Sequence, residues 1–307
     1  MPRAKLSYVL ITPARNEESN IERVISSVTR QTVPPLKWVI VDDASEDRTA
    51  EIVRRFLKDF PWLELVTMPS SRKRSFSAKV ECFDAGYGLV RGLDFDIVGN
   101  LDADVSFDPG YIEFLLERFA EDPSLGVAGT PFVEDSGYSS LTDSFEGQQH
   151  VPGGCQLFRR RCFEEIGGYA PHPGGGIDWI AVTTARMKGW KTRSFLEKFF
   201  HHHRSLGTAD SSVLPALFHY GKKDYFLGNH PVWELLRVLY RMAKSPYVVG
   251  GLCLLFGYAW ACAKGARRPV SAELMRFHRR EEMAKLKMII KSVSSGKKLD
   301  KYTLKMQ

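Results

Sequence analysis

Several signatures that would settle a chemistry early are missing from this chain. It has no glycine-rich dinucleotide fingerprint and no Gly-x-x-x-x-Gly-Lys-Ser/Thr loop, so any phosphate must be held by side chains and metal, without a glycine cradle. Its five cysteines (Cys82, Cys155, Cys162, Cys253, Cys262) are odd in number and form no Cys-x-x-Cys pair, which argues for free thiols in a reducing compartment. The opening Met-Pro-Arg-Ala-Lys has no long apolar run and no cleavage site, so the chain is expected to start in the cytoplasm. Nothing in it resembles a nucleic-acid-binding motif.

What is present is an ordinary globular composition, 44% hydrophobic and 26% charged, over 307 residues. The net charge of +7 hides an asymmetry: residues 1–205 hold 25 basic against 29 acidic side chains, and residues 206–307 hold 18 against 7. A mildly acidic body is thus followed by a basic segment suited to an anionic surface.

The front half alternates strand and helix patterns. Residues 6–11, 37–41, 63–66 and 96–101 are apolar runs of strand length. Between them, helical stripes appear at Ile21/Val24/Ile25/Val28, Ile52/Val53/Phe56/Leu57 and Phe76/Val80/Phe83/Tyr87, with Ser19 and Glu22 as a capping box for the first. This order calls for a mostly parallel, Rossmann-like sheet with helices on both faces. A further strand is expected at 127–132, and Asp108-Pro109 is expected to open a helix over 110–120. Strand ends at Thr12–Glu17, Asp42/Asp43 and Asp102/Asp104 should share one rim, where open α/β sheets bind ligands.

The stretch Asn100-Leu101-Asp102-Ala103-Asp104 carries the most chemistry. Alternation along an extended chain sends Asp102 and Asp104 to one side, the geometry that a hard divalent cation such as Mg²⁺ or Mn²⁺ takes together with phosphate oxygens. Further on, Phe199-Phe200-His201-His202-His203-Arg204 is a conspicuous polar cluster. Three consecutive histidines on a strand cannot all face one metal, so either His201 and His203 or His202 alone point inward.

Taken together, Thr12-Pro13-Ala14-Arg15-Asn16-Glu17, Val41-Asp42-Asp43-Ala44-Ser45 with Asp47-Arg48-Thr49, and Leu101-Asp102-Ala103-Asp104 resemble glycosyltransferase family 2, inverting sugar-nucleotide enzymes of the GT-A fold, over residues 6–205. The resemblance implies that Pro13, Arg15 and Glu17 line the base and ribose pocket, and that Asp42 or Asp43 bonds the nucleobase. It implies a donor role for Lys79 and Asp102, and places Asp104 and Asp102 on the metal, with His203 as a further contact to metal or diphosphate. Lys79 is otherwise a solvated helix lysine, and the basic loop Arg72-Lys73-Arg74 otherwise a diphosphate clamp. The block Pro152-Gly153-Gly154-Cys155-Gln156-Leu157-Phe158-Arg159-Arg160 resembles the family's acceptor floor, giving acceptor roles to Gly153, Gly154 and Arg159, with Trp179 beside the base. Asp178 falls where the family carries its general base; Ile177 replaces a customary glutamate, and Asp84 a customary asparagine. The alternative for Asp178 is a helix N-cap.

Past a small-residue linker at 205–212, residues 245–263 carry no charge and are flanked by Arg237, Arg241 and Lys244 on one side and Lys264, Arg267 and Arg268 on the other. Nineteen residues barely span a bilayer, and basic flanks on both sides disfavour crossing it. An in-plane or re-entrant segment at the cytoplasmic face is expected, a buried core helix or single span being the alternatives. Residues 271–293 pattern as an amphipathic helix.

The expected architecture is therefore α/β: a GT-A catalytic domain over 1–205 (a nucleotide-sugar half to about 105, then an acceptor half) and a basic helical, membrane-associating region over 206–307. The expected function is metal-assisted transfer of a hexosyl or N-acetylhexosaminyl group from a nucleotide-sugar donor, UDP-sugar by preference, to a lipid-linked or cell-envelope glycan at a membrane lipid surface. The competing readings are a sugar-phosphate nucleotidyltransferase, which would carry a glycine-rich basic loop after the first strand, and a non-catalytic nucleotide-sugar-binding protein.

Overall fold

A computed structural model describes residues 6–69, 76–135, 137–140, 147–171, 175–204 and 213–294. The basic loop at 72–74 and the linker at 205–212 lie outside these described residues. The chain divides into two compact units, Met1–Pro173 with Ile177–Arg204, and Gly174–Gly176 with Ser205–Gln307.

In the first unit, β1 (Tyr8–Ala14), β2 (Lys37–Asp42), β3 (Leu63–Thr67) and β4 (Ile97–Leu101) alternate with α1 (Ile21–Thr29), α2 (Thr49–Phe56) and α3 (Phe76–Val90). Then come β5 (Val105–Ser106), α4 (Tyr111–Glu121), β6 (Leu125–Gly129), β7 (Phe132–Glu134), β8 (Cys155–Arg159), α5 (Arg160–Ile166), α6 (Ile177–Met187), β9 (Lys191–Ser194) and β10 (Phe200–His202). The main sheet runs β3-β2-β1-β4-β8-β6-β9, and β5-β10-β7 form a smaller one. All neighbours in the main sheet are parallel except β8, which runs against β4 and β6.

Strand alternation builds two cores from one sheet. Tyr8, Leu10, Trp38 and Ile40 pack on one face with Val24, Ile25 and Leu115, while Val9, Ile11, Val39 and Val41 pack on the other with Val80, Phe83 and Val182. Both faces are covered, so the central strands read as continuous apolar runs. Helix α3 lies so close that a Cβ on Gly86 would sit 2.7 Å from Ile11 Cγ2, which is why glycine stands there.

Local details depart from the sequence expectations. β1 continues through Thr12-Pro13-Ala14 because its pairing with β2 extends to Ala14 opposite Asp42. The capping box is not formed: Asn20 caps α1 without a side-chain bond, and Glu17 O accepts from the N–H groups of Asn20 and Ile21 at 2.9 and 2.8 Å. Asp108-Pro109 does not open α4; Gly110, at φ 76°, does, a left-handed turn best suited to glycine. The strand expected at 127–132 splits into β6 and β7, which belong to different sheets.

The second unit is helical: α7 (Val213–Leu227), α8 (Pro231–Met242), α9 (Val249–Ala263) and α10 (Ala272–Ser294). Helices α7 and α9 touch backbone to backbone, since a Cβ on Gly221 would fall 2.0 Å from Leu254 O and one on Gly257 2.0 Å from Phe218 O. The uncharged segment thus presents a glycine face to its neighbours. At 15 residues, α9 is about 22 Å long. Among the described residues no helix is long and apolar enough to cross a membrane.

This unit also buries charge. Asp224 Oδ1 lies 3.2 Å from Arg237 Nη1, Glu234 accepts from Asn229 Nδ2 at 3.3 Å, and Glu282 accepts from His230 N–H at 2.7 Å and pairs with His278 at 3.0 Å. Burial, then the Asp224 and Glu282 charges, push Glu234 up to about 8 against the pull of Arg237 and Asn229. Folded Glu234 therefore holds a proton at neutral pH that the unfolded chain, with a carboxyl near 4.5, releases. Its contribution to stability is complete below the unfolded value and is lost as pH rises towards about 8. Glu234→Gln is expected to raise the melting temperature at pH 8 and to flatten its fall between acid and pH 8 in calorimetry of the full chain.

Candidate active site

The carboxyl ends of β1, β2 and β4 and the start of β8 meet at one rim of the main sheet. Leu101 pairs with Cys155, so the chain leaving β4 lies beside the residues entering β8, and Asp102 N–H donates to Gly154 O at 2.9 Å. β4 ends at Leu101; Asp102-Ala103-Asp104 form a turn, and the carboxylates converge through that turn, not through strand alternation. Asp102 Oδ1 accepts from Lys79 Nζ at 2.6 Å and from Asn100 Nδ2 at 3.2 Å, and Asn100 also donates to Gly153 O at 2.7 Å.

The small sheet supplies the third group. His202 pairs with Val105 and Glu134, and its Nε2 lies 3.5 Å from Asp104 Oδ1. One ligand atom each from Asp102, Asp104 and His202 lie within 4.8 Å of one another. Two carboxylates and an imidazole form an O/N donor set suited to a hard or borderline divalent ion. Asp104 Oδ1 is buried and accepts no hydrogen bond among the described residues, so a lone pair is free for such an ion. Burial, then the Asp102 charge, raise the Asp104 carboxyl above its usual range, with His202, Arg204 and Lys79 opposing them. Burial works against the Lys79 ammonium, but Asp102, with Asp178 and Asp104, outweighs it and raises its pKa.

Along the same rim, Arg15 Nη1 contacts Asp43 Oδ2 at 3.2 Å, and Asp43 Oδ1 is buried without a hydrogen-bond partner among the described residues. Asp42 is tied to its own turn, accepting from Ser45 N–H at 3.3 Å. Pro13 is half-buried in β1 opposite Val41. Glu17 accepts from Arg204 Nη2 at 2.7 Å, and its pKa is raised by burial and by Asp104 despite that arginine. Arg204 Nε stands 3.9 Å from Asp104 Oδ2, so one guanidinium serves two carboxylates.

On the far side, Asp178 lies in the first turn of α6 and touches Gly153 so closely that a Cβ there would meet its Oδ2 at 2.9 Å. Gly154 lies under the Phe200 ring in the same way, at 2.9 Å. Ile177 is buried in the core beside Ala181 and Tyr169, which accounts for an apolar residue before Asp178. Trp179 is buried as well, 7% exposed.

Residues 9–146 match the model of glycosyl transferase family 2. The chain carries a glycosyl transferase family 2 domain. Among curated proteins, the chain is 25% identical over 209 residues to poly-beta-1,6-N-acetyl-D-glucosamine synthase of Staphylococcus epidermidis, covering 62% of this chain and 47% of that one. It is 29% identical over 118 residues to chondroitin synthase of Pasteurella multocida, covering 38% of this chain and 11% of that one. The chain thus spans about half or less of these relatives. Among solved structures, a mannosyltransferase of Pyrobaculum calidifontis in complex with GDP-Man and Mn²⁺ is similar at TM-score 0.57 and 17% identity, covering 96% of this chain and 84% of that one. S. aureus TarS 1–349 in complex with UDP-GlcNAc is similar at TM-score 0.57 and 12% identity, covering 94% and 88%. These likenesses establish the GT-A fold.

Two expected residues stand away from the rim. Arg159 is not at the acceptor floor. β8 is antiparallel, so Arg159 pairs with Ile97 at the opposite end of the sheet, about 13 Å from Cys155. There it donates to Leu125 O at 3.1 Å and to Phe119 O and Asp122 O at 2.8 and 3.2 Å, stapling the end of α4. His203 is not with the carboxylates: its Nε2 lies 2.8 Å from Ser106 Oγ and its Nδ1 3.3 Å from Asp135. His202 takes the inward position by strand parity, with the His201 and His203 rings stacked 6.4 Å apart on the other side. Asn100 and Arg204 also stand at the site; each lies inside a stretch that the sequence singles out, where no local signal assigns it a role.

His202→Ala is expected to weaken Mn²⁺ binding about tenfold to a hundredfold in a paramagnetic resonance titration, with His203→Ala close to wild type. Arg159→Ala should leave Mn²⁺ binding unchanged and cost about 1–3 kcal/mol in denaturant unfolding, because buried carbonyls lose their donor.

Proposed function

We propose that the chain is an inverting glycosyltransferase that moves a hexosyl or N-acetylhexosaminyl group from a nucleoside-diphosphate sugar, by preference a UDP-sugar, to a lipid-linked or cell-envelope glycan at the cytoplasmic face of a membrane. The observation that carries this reading is the convergence of Asp102, Asp104 and His202 beside Lys79, on the rim of a family 2 domain. The names of the relatives, among them N-acetylglucosamine-polymer and chondroitin synthases, support the donor class and the envelope acceptor.

In this reading Asp102, Asp104 and His202 hold a Mg²⁺ or Mn²⁺ ion, which when bound supplies Lewis-acid stabilisation to the departing diphosphate. Lys79 and Arg204 flank the carboxylates and add positive charge where the leaving group gathers negative charge. Arg15 orients Asp43, whose spare Oδ1 makes it, and not Asp42, the acceptor for a nucleobase N–H. Pro13 and Glu17 border that pocket, and Gly153, Gly154 and Trp179 the acceptor side. Asp178, first-turn residue of α6, takes the proton from the acceptor hydroxyl as it attacks the anomeric carbon opposite the diphosphate, which gives inversion. The missing Cβ at Gly153 makes room for that carboxylate.

A panel of UDP- and GDP-sugars with the purified protein tests the assignment. Metal-dependent release of one nucleoside diphosphate is expected, abolished by chelator and by Asp104→Ala. Asp178→Asn should retain donor binding and lose about a hundredfold or more of turnover with acceptor. Tight binding of a donor that is never turned over, with or without glycan acceptors, would identify a binding protein in place of an enzyme.

A further inference from the structure

The second unit buries acidic side chains within its apolar interior and leaves other large apolar side chains exposed. Its interior holds Asp224, Glu234 and Glu282, each 2% exposed or less, while large apolar side chains stand outside. Of the exposed large hydrophobic residues among the described ones, all but Leu36, Leu89, Leu93 and Phe199 belong to this unit. They are ordered. On α8, Val232, Leu235 and Leu239 recur at helical spacing, and on α9 so do Val249, Leu252, Phe256 and Trp260. The opposite faces are the buried ones: Trp233, Glu234 and Val238 on α8, and Gly250, Gly251, Leu254, Gly257, Tyr258 and Ala261 on α9. A soluble monomer rarely exposes apolar surface in such continuous stripes.

The charge around the stripes identifies what covers them. Between residues 235 and 272 there are six basic side chains and no acidic one. Lys244 follows α8 and Lys264 follows α9, each lying over an aromatic ring, Tyr240 at 4.8 Å and Trp260 at 5.0 Å. Arg267 is exposed just beyond. An apolar stripe bordered by aromatic rings and then by cations matches the layering of acyl chain, interface and anionic headgroup. A second copy of the chain is a poor occupant, because this surface would set lysine against lysine with no acid to pair them. No described helix is long and apolar enough to cross a membrane.

We propose that α8 and α9 lie in the plane of an anionic lipid leaflet, with their exposed apolar stripes in the outer acyl region and Lys244, Lys264 and Arg267 at the phosphates. This deepens the membrane assignment made above and is independent of the transfer chemistry, since it rests on residues of the second unit alone.

Flotation of the full chain with phosphatidylcholine vesicles, and with equal parts phosphatidylcholine and phosphatidylglycerol, tests it. The chain is expected to float with the mixed vesicles. Phe256→Glu combined with Trp260→Glu should abolish flotation, and both positions are exposed, so folding should survive, which an unchanged far-ultraviolet circular dichroism spectrum will show. Lys244→Glu with Lys264→Glu should reduce binding to the anionic vesicles about tenfold or more and leave the weaker neutral-vesicle binding alone. Lipid brominated near the glycerol should quench tryptophan emission, and Trp260→Phe should remove that quenching.

Three results would overturn the proposal: no flotation with either vesicle; flotation unchanged in the Phe256/Trp260 variant; or a vesicle-free dimer that this variant dissociates. Donor turnover measured on the same preparations separates the two readings. Turnover without vesicle binding sinks the surface and spares the enzyme, and vesicle binding without turnover does the reverse.

Discussion

Two carboxylates held a few ångströms apart in a largely buried turn repel one another, and the rim of the first unit is arranged around that repulsion. Asp104 cannot be solvated where it lies, and Asp102 adds a like charge. Every cation-capable group nearby answers to it: Lys79 from α3, His202 from the small sheet, and Arg204 from just beyond β10. Arg204 then reaches Glu17 at the end of β1, so strain at the centre is shared with the rim. A divalent cation on the free lone pair of Asp104 would relieve what the side chains leave uncompensated.

That arrangement depends on two interruptions of an otherwise parallel sheet. β8 runs backwards between β4 and β6, and only this direction brings the residues that lead into it, Gly153 and Gly154, to the rim. The second interruption is the small sheet, where a two-residue strand after the turn pairs with β10 and carries His202 to Asp104. A fully parallel sheet would leave the rim with carboxylates and no floor. The missing side chains at Gly153 and Gly154 let Asp178 and Phe200 close in, so the floor is assembled from backbone.

The two units solve burial differently. The first follows the ordinary rule, apolar inside and charged outside, except for buried acids such as Glu17, Asp42, Asp43 and Asp104 along the rim. The second buries Asp224, Glu234 and Glu282 in a bonded set linking α7, α8 and α10 and leaves Leu235, Leu239, Phe256 and Trp260 outside. A protonated Glu234 fits that interior, since an uncharged carboxyl is the form that burial favours.

The strand and helix order, the three polar strand ends and the resemblance to glycosyltransferase family 2 were legible from residues alone, because hydrophobic period and motif order are properties of the chain itself. Other features needed the fold. The parity of the histidine run stated that His202 or its neighbours point inward, but the phase is set by the register of β10 on β5. Arg159 belongs to a motif block whose first residues are at the rim, yet the antiparallel direction of β8 carries it to the far end. Asn100 and Arg204 lie in stretches that stand out in the sequence, but their roles do not, since each acts on groups brought to it by pairing between distant segments. In the uncharged segment, composition gave the apolarity, and only packing decided which face the glycines would bury and which would remain outside. The sequence by itself determined which chemical groups and which periodicities are available. The tertiary structure decided which groups meet, because strand direction and register place side chains from segments that carry no information about one another.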